Sequence, residues 1–220
     1  MKNAKIAFVS DFDGTITDDD FFEYTTKTYF DEEALKPWRE YVNGTKNHFD
    51  ALKEMFAKIR VQERDLNELI ETINVDKDFE KVIKLCFSKN ITLYICSAGN
   101  DYYIQKIIGN IISEHKVKLV TNHGEYSPEE GLVMTSPEKN FPFYDEKIGI
   151  SKYKLVKQLK DEGYFVVFAG DGPPDVEPAR IADVVFAKKI LLKRCLEENI
   201  PFQKFDSFAN IYEYFKEINS

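Results

Sequence analysis

Residues 6–15 of the chain read IAFVSDFDGT, an apolar run that ends in two aspartates, a glycine and a threonine. The apolar run predicts a buried β-strand, whose end places the carboxylates of Asp11 and Asp13 at the tip of a rigid element. A simple turn would use the same residue types, since Asp and Gly are common in turns. We interpret the pair as a reaction centre, because two carboxylates this close repel each other unless a cation or N–H donors compensate.

The cation that these residues predict is Mg²⁺. Carboxylate oxygens are hard ligands, and Mg²⁺ usually keeps several waters and shares its site with a substrate phosphate. We therefore expect Asp11 and Asp13 at a metal site, with Gly14 and Thr15 beside the phosphate of a substrate.

Composition limits the remaining possibilities. With 220 residues, of which 43% are hydrophobic and 14% aromatic, the chain can bury one sizeable core and a smaller appendage. The formal net charge of -8 argues against a nucleic-acid surface, and Lys188-Lys189 is too short a basic run to change that. No apolar run is long enough for a membrane span, and the motif at residue 11 leaves no room for a signal peptide. The three scattered cysteines predict reduced core residues, so we expect a cytoplasmic protein.

After residue 90, apolar runs of strand length alternate with helical patterns. Continuous apolar strands between helices indicate a parallel sheet that is covered on both faces. The predicted strands are 91–96, 117–121, 164–169 and 184–187, and the clearest predicted helices are 103–112 and 208–218. The fold class is therefore α/β, with a Rossmann-like parallel sheet.

Residues 18–75 lack a convincing buried strand but carry two apolar helical stripes. They predict a small helical cap domain inserted after the first strand, beside the sheet edge where α/β proteins bind ligands. The predicted division is 1–17 with 76–220 for the core domain and 18–75 for the cap. Among the many aromatic residues of the cap, Phe21 and Phe22 are the candidates to face a substrate, and the others are predicted to form its core.

The sequence Ser97-Ala98-Gly99-Asn100 follows a predicted strand and indicates a turn that opens a helix. Exposed N–H groups and the positive end of a helix would hold a phosphate there. A serine in this position is also a common helix N-cap.

Lys152 falls in the first turn of a predicted helix that begins at Ser151. The helix dipole disfavours a cation there, so a negative partner nearby would explain it. Lys154 and Lys157 are the alternatives that solvent would satisfy, and Lys152 is preferred for its distance ahead of the next motif.

That motif is the second acidic strand end, in the sequence Gly170-Asp171-Gly172-Pro173-Pro174-Asp175. The prolines can start a helix that returns Asp175 toward Asp171. Asp171 is expected to bind the ion directly, and Asp175 either to bind it or to orient the ligands. A capping aspartate in a Gly/Pro turn is the alternative.

Four motifs, at residues 11–15, Ser97, Lys152 and 170–175, follow one another in the order found in the haloacid dehalogenase (HAD) superfamily of phosphohydrolases, which the chain resembles. The resemblance covers nearly the whole chain, and the ordered set is far more specific than any one motif. It implies that Asp11 is a nucleophile that forms an aspartyl-phosphate, and that Asp13 acts first as general acid and then as general base. It also implies that Ser97, Ala98, Gly99 and Lys152 bind the phosphoryl group, and that Mg²⁺ is held by Asp11, the backbone carbonyl of Asp13, and Asp171, supported by Asp175.

Within the superfamily, a helical cap between the first two motifs is similar to the phosphoserine phosphatase branch. The segments 175–179 and 187–195 are more similar to the methionine-salvage phosphatases, which act on 2-hydroxy-3-keto-5-methylthiopentenyl-1-phosphate. Those phosphatases are cysteine-rich before the third motif, whereas residues 124–149 here contain no cysteine.

Phosphoserine phosphatases carry a cap arginine seven residues after a phenylalanine. If Phe49 is that phenylalanine, the arginine position here is Phe56, which suggests a less charged leaving group. Arg39 or Arg60 would substitute in another cap register.

The expected activity is Mg²⁺-dependent hydrolysis of a small phosphorylated metabolite. Open alternatives are a phosphoserine, phosphocholine or phosphoethanolamine phosphatase, and a phosphotransferase or mutase with another acceptor. A non-catalytic metal- or phosphate-binding module is the alternative from a different class, but binding alone would not need the proton shuttle that Asp13 offers.

Overall fold

A central sheet organises the part of the chain that the computed structural model describes, residues 5–218. The strands are β1 (Ile6–Ser10), β2 (Thr92–Asn100), β3 (Lys118–Ser127), β4 (Gly131–Thr135), β5 (Tyr144–Asp145), β6 (Gly149–Ile150), β7 (Phe165–Gly170), β8 (Val184–Ala187) and β9 (Gln203–Lys204). The helices are α1 (Phe21–Tyr29), α2 (Lys36–Val42), α3 (His48–Phe56), α4 (Glu63–Glu71), α5 (Phe79–Ser88), α6 (Asp101–His115), α7 (Lys152–Asp161), α8 (Val176–Ala179), α9 (Lys189–Glu198) and α10 (Phe208–Glu217), with a 3-10 turn at Pro173–Asp175.

The seven-stranded sheet has the order β4-β3-β2-β1-β7-β8-β9, and β5 and β6 form a separate hairpin. All neighbours in the large sheet are parallel except β3 and β4. Strand β1 lies between β2 and β7, where Ser10 pairs with both Ile95 and Ala169. The carboxyl ends of these three strands therefore meet at one edge, and this confirms the predicted α/β class.

Helices cover both faces of the sheet. Phe8 of β1 packs in one hydrophobic cluster against the rings of Phe208 and Phe215 from α10. Its neighbours Ala7 and Val9 belong to the cluster on the other face, which includes side chains of α7. This alternation explains why the strand is continuously apolar, since each of its faces is buried.

Helices α1–α4 lie between β1 and α5, and an isolated antiparallel bridge joins Thr17 to Val75 where the chain leaves and re-enters the sheet layer. The first four and the last two residues of the predicted core domain lie outside the described residues. Within residues 5–218 no helix is both long and apolar enough to cross a membrane. Cys86, Cys96 and Cys195 are buried free thiols.

Strand β2 differs from its prediction at residues 97–100. The segment continues the strand to Asn100 with an irregular pairing after Cys96, and α6 begins only at Asp101. Ser97 is therefore not the N-cap of α6. The hairpin of β3 and β4 was also not predicted, because Thr121–Ser127 alternates in burial and does not form one apolar run.

Candidate active site

Asp11 follows the last residue of β1, and its backbone N–H donates to the carbonyl of Ala169 at 2.9 Å. This bond continues the parallel ladder past the strand and holds the carboxylate at the sheet edge. The Nζ atom of Lys152 lies 2.7 Å from Oδ1 of Asp11, and the lysine side chain is only 2% exposed. The strand end thus presents a carboxylate that is already paired with a buried cation.

Lys152 is the first residue of α7, and Ser151 caps the helix by accepting from the N–H of Lys154. The sequence indicated that a cation in this turn needs a negative partner, and the structure supplies two, since Nζ is also 2.5 Å from Oδ1 of Asp175. Burial alone would lower the pKa of the ammonium, but Asp11 and Asp175 outweigh that effect and raise it. Lys152 therefore stays charged.

Asp175 is fully buried behind this pair. Its Oδ2 accepts from the backbone N–H groups of Asp171 and Gly172, both at 2.9 Å, while Oδ1 accepts from Lys152. The turn Pro173–Asp175 returns the carboxylate over the end of β7, as the two prolines predicted. One side chain thus fixes both the lysine and the loop that carries Asp171.

Asp171 follows β7 and faces the end of β1. Its Oδ1 accepts from the hydroxyl of Thr15 at 3.1 Å, and its Oδ2 lies 3.4 Å from Nζ of Lys189. Gly14 has a φ of +67°, and a Cβ there would lie 2.3 Å from Oδ2 of Asp171. A glycine is therefore required on both conformational and steric grounds.

Asp11, Asp171 and Asp175 offer one oxygen each within 4.8 Å of one another, and all three are buried. Burial raises the pKa of Asp11 well above its usual range, and Asp175 adds to the rise, while Lys152 opposes it. Three carboxylates against one buried ammonium leave a deficit of positive charge that a hard cation would fill. Asp175 is fully buried and both of its oxygens accept hydrogen bonds, which fits a supporting role, whereas Asp11 and Asp171 line the cavity and fit direct coordination.

The carboxyl group of Asp13 points away from this cluster. Its Oδ1 accepts from the backbone N–H of Phe21 at 3.1 Å, and its Oδ2 accepts from the hydroxyls of Tyr103 at 2.5 Å and Ser97 at 3.2 Å. Burial raises the pKa of Asp13, although these hydrogen bonds oppose the rise. The site thus contains a second carboxyl group whose hydrogen-bond partners differ from those of Asp11, so the two groups can take different chemical roles.

These groups line a cavity of about 330 Å³. Of the candidate residues from the sequence, the wall includes Asp11, Asp13, Ser97, Ala98, Gly99, Lys152 and Asp171. Gly14, Thr15 and Asp175 are close to the site but do not line the cavity. The opposite wall comes from α1, α2 and α3, and consists of Phe22, Glu23, Trp38, Tyr41, His48, Leu52 and Phe56.

Several residues of the site were not singled out from the sequence. Tyr103 belongs to the apolar stripe that predicted α6, so its hydroxyl gave no signal. The run of three aspartates at 18–20 was a signal: Asp20 lines the cavity, and burial, followed by Asp13 and Asp171, raises its pKa to about 8. Lys189 was considered from the sequence only as half of a basic run too short to bind nucleic acid, and in the structure it pairs with Asp171.

No protein-family model matches the chain. Curated relatives do match along almost the whole length. The 2-hydroxy-3-keto-5-methylthiopentenyl-1-phosphate phosphatase of Bacillus cereus (strain B4264) is 26% identical over 203 residues, which cover 91% of each chain. The enzyme of the same name from Bacillus thuringiensis (strain Al Hakam) is 25% identical over 210 residues, which cover 94% of each.

Solved structures share the fold at lower sequence identity. A substrate-bound phosphoserine phosphatase complex superposes with a TM-score of 0.69 at 17% identity, covering 97% of this chain and 99% of that one. A HAD family hydrolase from Salmonella enterica serovar Typhi gives a TM-score of 0.72 at 13% identity, covering 100% of this chain and 74% of that one.

The fold is that of the HAD phosphatases, and the relatives and the site together identify the chain as a phosphatase. Within that class its sequence is similar to the 2-hydroxy-3-keto-5-methylthiopentenyl-1-phosphate phosphatases. Both conclusions confirm the resemblance stated from the motifs.

Proposed function

We propose that the protein is a Mg²⁺-dependent phosphomonoesterase that forms an aspartyl-phosphate on Asp11. The observation that carries the proposal is the separation of two carboxyl groups at one cavity. Asp11 is paired with Lys152 beside Asp171, whereas Asp13 is held independently by Phe21, Tyr103 and Ser97.

In the first step a carboxylate oxygen of Asp11 attacks phosphorus, the bond to the leaving oxygen breaks, and Asp13 gives that oxygen its proton. In the second step water attacks phosphorus and gives a proton back to Asp13. The bond from phosphorus to Asp11 breaks, orthophosphate leaves, and both aspartates regain their first state. The net reaction consumes one phosphate monoester and one water, and yields one alcohol and one orthophosphate.

Charge neutralisation is the main requirement of phosphoryl transfer. Lys152 supplies one fixed positive charge at the nucleophile, and Ser97, Ala98 and Gly99 line the same cavity. Mg²⁺, when bound by Asp11, Asp171 and the backbone carbonyl of Asp13, would supply the remaining positive charge. For Thr15, the hydrogen bond to Asp171 supports a role in holding that ligand rather than in contacting phosphate.

We further propose that residues 18–75 form a cap whose helices enclose the leaving group, with 1–17 and 76–220 as the core domain. The bridge between Thr17 and Val75 supports these limits, because it closes the base of the insertion. The cap wall of the cavity consists mostly of aromatic and aliphatic side chains, carries the carboxylates of Asp19, Asp20 and Glu23, and includes no Lys or Arg among the described residues.

Such a wall disfavours a leaving group that carries a carboxylate, because that charge would lose water without gaining a partner. If Phe49 corresponds to the cap phenylalanine of the phosphoserine phosphatases, Phe56 takes the place of their arginine, and this residue is buried. An apolar leaving group fits better, and 2-hydroxy-3-keto-5-methylthiopentenyl-1-phosphate, named for the Bacillus relatives, is the substrate we propose.

Phosphocholine is the second candidate, because specific residues favour it. Phe22, Trp38 and Tyr41 expose aromatic rings to the same cavity as the Glu23 carboxylate. Aromatic faces with a nearby carboxylate are the usual partners of a quaternary ammonium group.

The test measures orthophosphate release from four substrates with Mg²⁺ present: 2-hydroxy-3-keto-5-methylthiopentenyl-1-phosphate, phosphocholine, phosphoethanolamine and phosphoserine. We expect the Asp11→Asn variant to lose at least about 1000-fold in kcat. The control is Asp161→Asn, which changes an exposed pair on α7 and should alter kcat by less than about twofold. Activity retained by Asp11→Asn would overturn the covalent mechanism, and a preference for phosphoserine would overturn the reading of the cap wall. Transfer to an organic acceptor without orthophosphate release would indicate a phosphotransferase.

A further inference from the structure

We propose that Tyr103 is a positioning residue that fixes the orientation of the Asp13 carboxyl group for proton transfer to the leaving group. The inference rests on the proposed function only in taking Asp13 as the proton donor. It assigns a part in the reaction to a residue that, in sequence, is one member of an apolar helical stripe.

Tyr103 contacts Asp13 directly. The hydroxyl of Tyr103 donates to Oδ2 of Asp13 at 2.5 Å, and the tyrosine is 1% exposed. The bond links α6 to the residue three positions after the end of β1, across 90 residues of sequence. A buried phenol that spends its only donor on a carboxyl group restrains both partners, because neither can turn away without leaving a buried polar atom unpaired.

Three neighbouring residues hold the phenol ring of Tyr103 in place. The rings of Tyr103 and Phe21 are stacked with centroids 4.2 Å apart and 11° between their planes. The ring of Phe12 closes another side, with its centroid 6.1 Å away. Gly99 leaves the space that the hydroxyl occupies, because a Cβ there would lie 1.7 Å from the oxygen. The tyrosine therefore has one available position, and that position points at Asp13.

Phe21 completes the arrangement, since its backbone N–H donates to Oδ1 of Asp13 while its ring stacks on Tyr103. Both oxygens of the carboxyl group are thus held, one by the start of α1 and one by α6. Ser97 also reaches Oδ2, but at 3.2 Å, and its oxygen accepts from the N–H of Gly99 as well. The phenol of Tyr103 therefore makes the shorter of the two contacts to Oδ2.

The consequence is specific to proton transfer. A general acid works when its proton is aimed at the leaving oxygen, and displacement of a reacting group by about 1 Å can cost about 100-fold. Orientation of Asp13 matters for an alkoxide leaving group, which needs the proton. It matters little for p-nitrophenolate, which is stable without one.

The experiment compares Tyr103→Phe with Tyr102→Phe. The first keeps the ring that stacks on Phe21 and removes only the hydroxyl. The second removes a hydroxyl one residue away on the same helix, where it is buried without a hydrogen-bond partner among residues 5–218 and the ring packs against Tyr126. The quantity measured is kcat/KM for p-nitrophenyl phosphate, phenyl phosphate and ethyl phosphate, because it reports the steps up to departure of the leaving group.

We expect Tyr103→Phe to lower kcat/KM at least about tenfold for ethyl phosphate and less than about threefold for p-nitrophenyl phosphate, with phenyl phosphate between. Tyr102→Phe should lower all three equally or not at all. An equal loss for all three substrates in Tyr103→Phe, or no loss, would overturn the proposal. Wild-type protein that hydrolyses none of them would instead count against the proposed function.

If Tyr103→Phe does not fold, as judged by circular dichroism, Gly99→Ala provides the test, because a Cβ there would lie 1.7 Å from the Tyr103 hydroxyl and 3.0 Å from Oδ2 of Asp13 and so forces the two groups apart. Gly99 also lines the cavity, so this variant should lose activity with all three substrates. An additional loss with ethyl phosphate is the predicted result, and an equal loss with all three would contradict the proposal.

Discussion

Replacing Asp175 by Asn tests how the buried charges hold the site together. Asp175 is fully buried, with Oδ1 accepting from the Lys152 ammonium and Oδ2 accepting from two backbone N–H groups. An asparagine has one carbonyl oxygen, so its NH₂ group must face donors on one side or the other. The substitution keeps the volume of the side chain and removes one partner of a buried ion pair.

Removing one partner of a buried pair costs about 3–5 kcal/mol, since the remaining charge is left without compensation. Asp11 still contacts Lys152 in the variant, and loss of the Asp175 charge relieves its repulsion with Asp11, so we expect the lower end, about 3 kcal/mol, mainly from buried donors that the asparagine NH₂ group cannot pair. For a chain of this size that loss lowers the melting temperature by about 6–12 °C. The assay is urea unfolding followed by circular dichroism at pH 7 with EDTA, which keeps metal binding from contributing to the measured free energy of unfolding.

The matched control is Asp161→Asn on α7. Asp161 pairs with Lys157 at 2.7 Å, but their side chains are 63% and 53% exposed. An exposed pair of this spacing contributes about 0.3–0.5 kcal/mol. If Asp175→Asn lowers the free energy of unfolding no more than Asp161→Asn does, the reasoning that burial makes this ion pair a large contributor to stability is refuted.

Two further predictions concern the metal and pH. EDTA should lower hydrolysis at least about 100-fold, and added Mg²⁺ should restore it. Mg²⁺ should also raise the melting temperature of the wild type but not that of Asp171→Asn. An equal rise in both proteins would contradict the assignment of Asp171 as a metal ligand. Burial, with a smaller effect from Lys152, lowers the pKa of His48 to about 4. The unfolded state then binds more protons than the folded state, so stability present above pH 6.5 is lost as pH falls toward 4, by up to about 3 kcal/mol. The difference in unfolding free energy between wild type and His48→Gln should change by that amount over this range, and a constant difference would contradict it.

The acidic strand ends were predictable because a buried parallel strand is continuously apolar, so the first polar residue after it marks the edge of the sheet. Asp11 and Asp171 both stand out in this way, and their strands are neighbours in the structure. Lys152 was selected mainly for its distance ahead of the next motif, and its place in the first helical turn, which a negative partner would explain, supported that choice.

Tyr103 and His48 could not be found by the same reasoning. Tyr103 repeats with the isoleucines of α6 at helical spacing, and only the tertiary packing of that helix brings its hydroxyl to Asp13 in the loop after β1. His48 gains its place from the path of α3 over the cavity, which no local pattern encodes. The segment 97–100 was predicted as a turn because its small residues also suit turns, whereas pairing with β3 extends it as strand.

The most direct test of the account is chemical identification of the phosphorylated residue. Protein quenched in acid during turnover and reduced with borohydride should contain homoserine in place of Asp11, because an aspartyl-phosphate is reduced to that alcohol. Mass spectrometry of the peptide that covers residues 6–15 measures it, and Asp13 in the same peptide serves as an internal control. Homoserine at position 11 alone is the predicted result. Reduction at position 13, or none under conditions in which orthophosphate is released, would contradict the account.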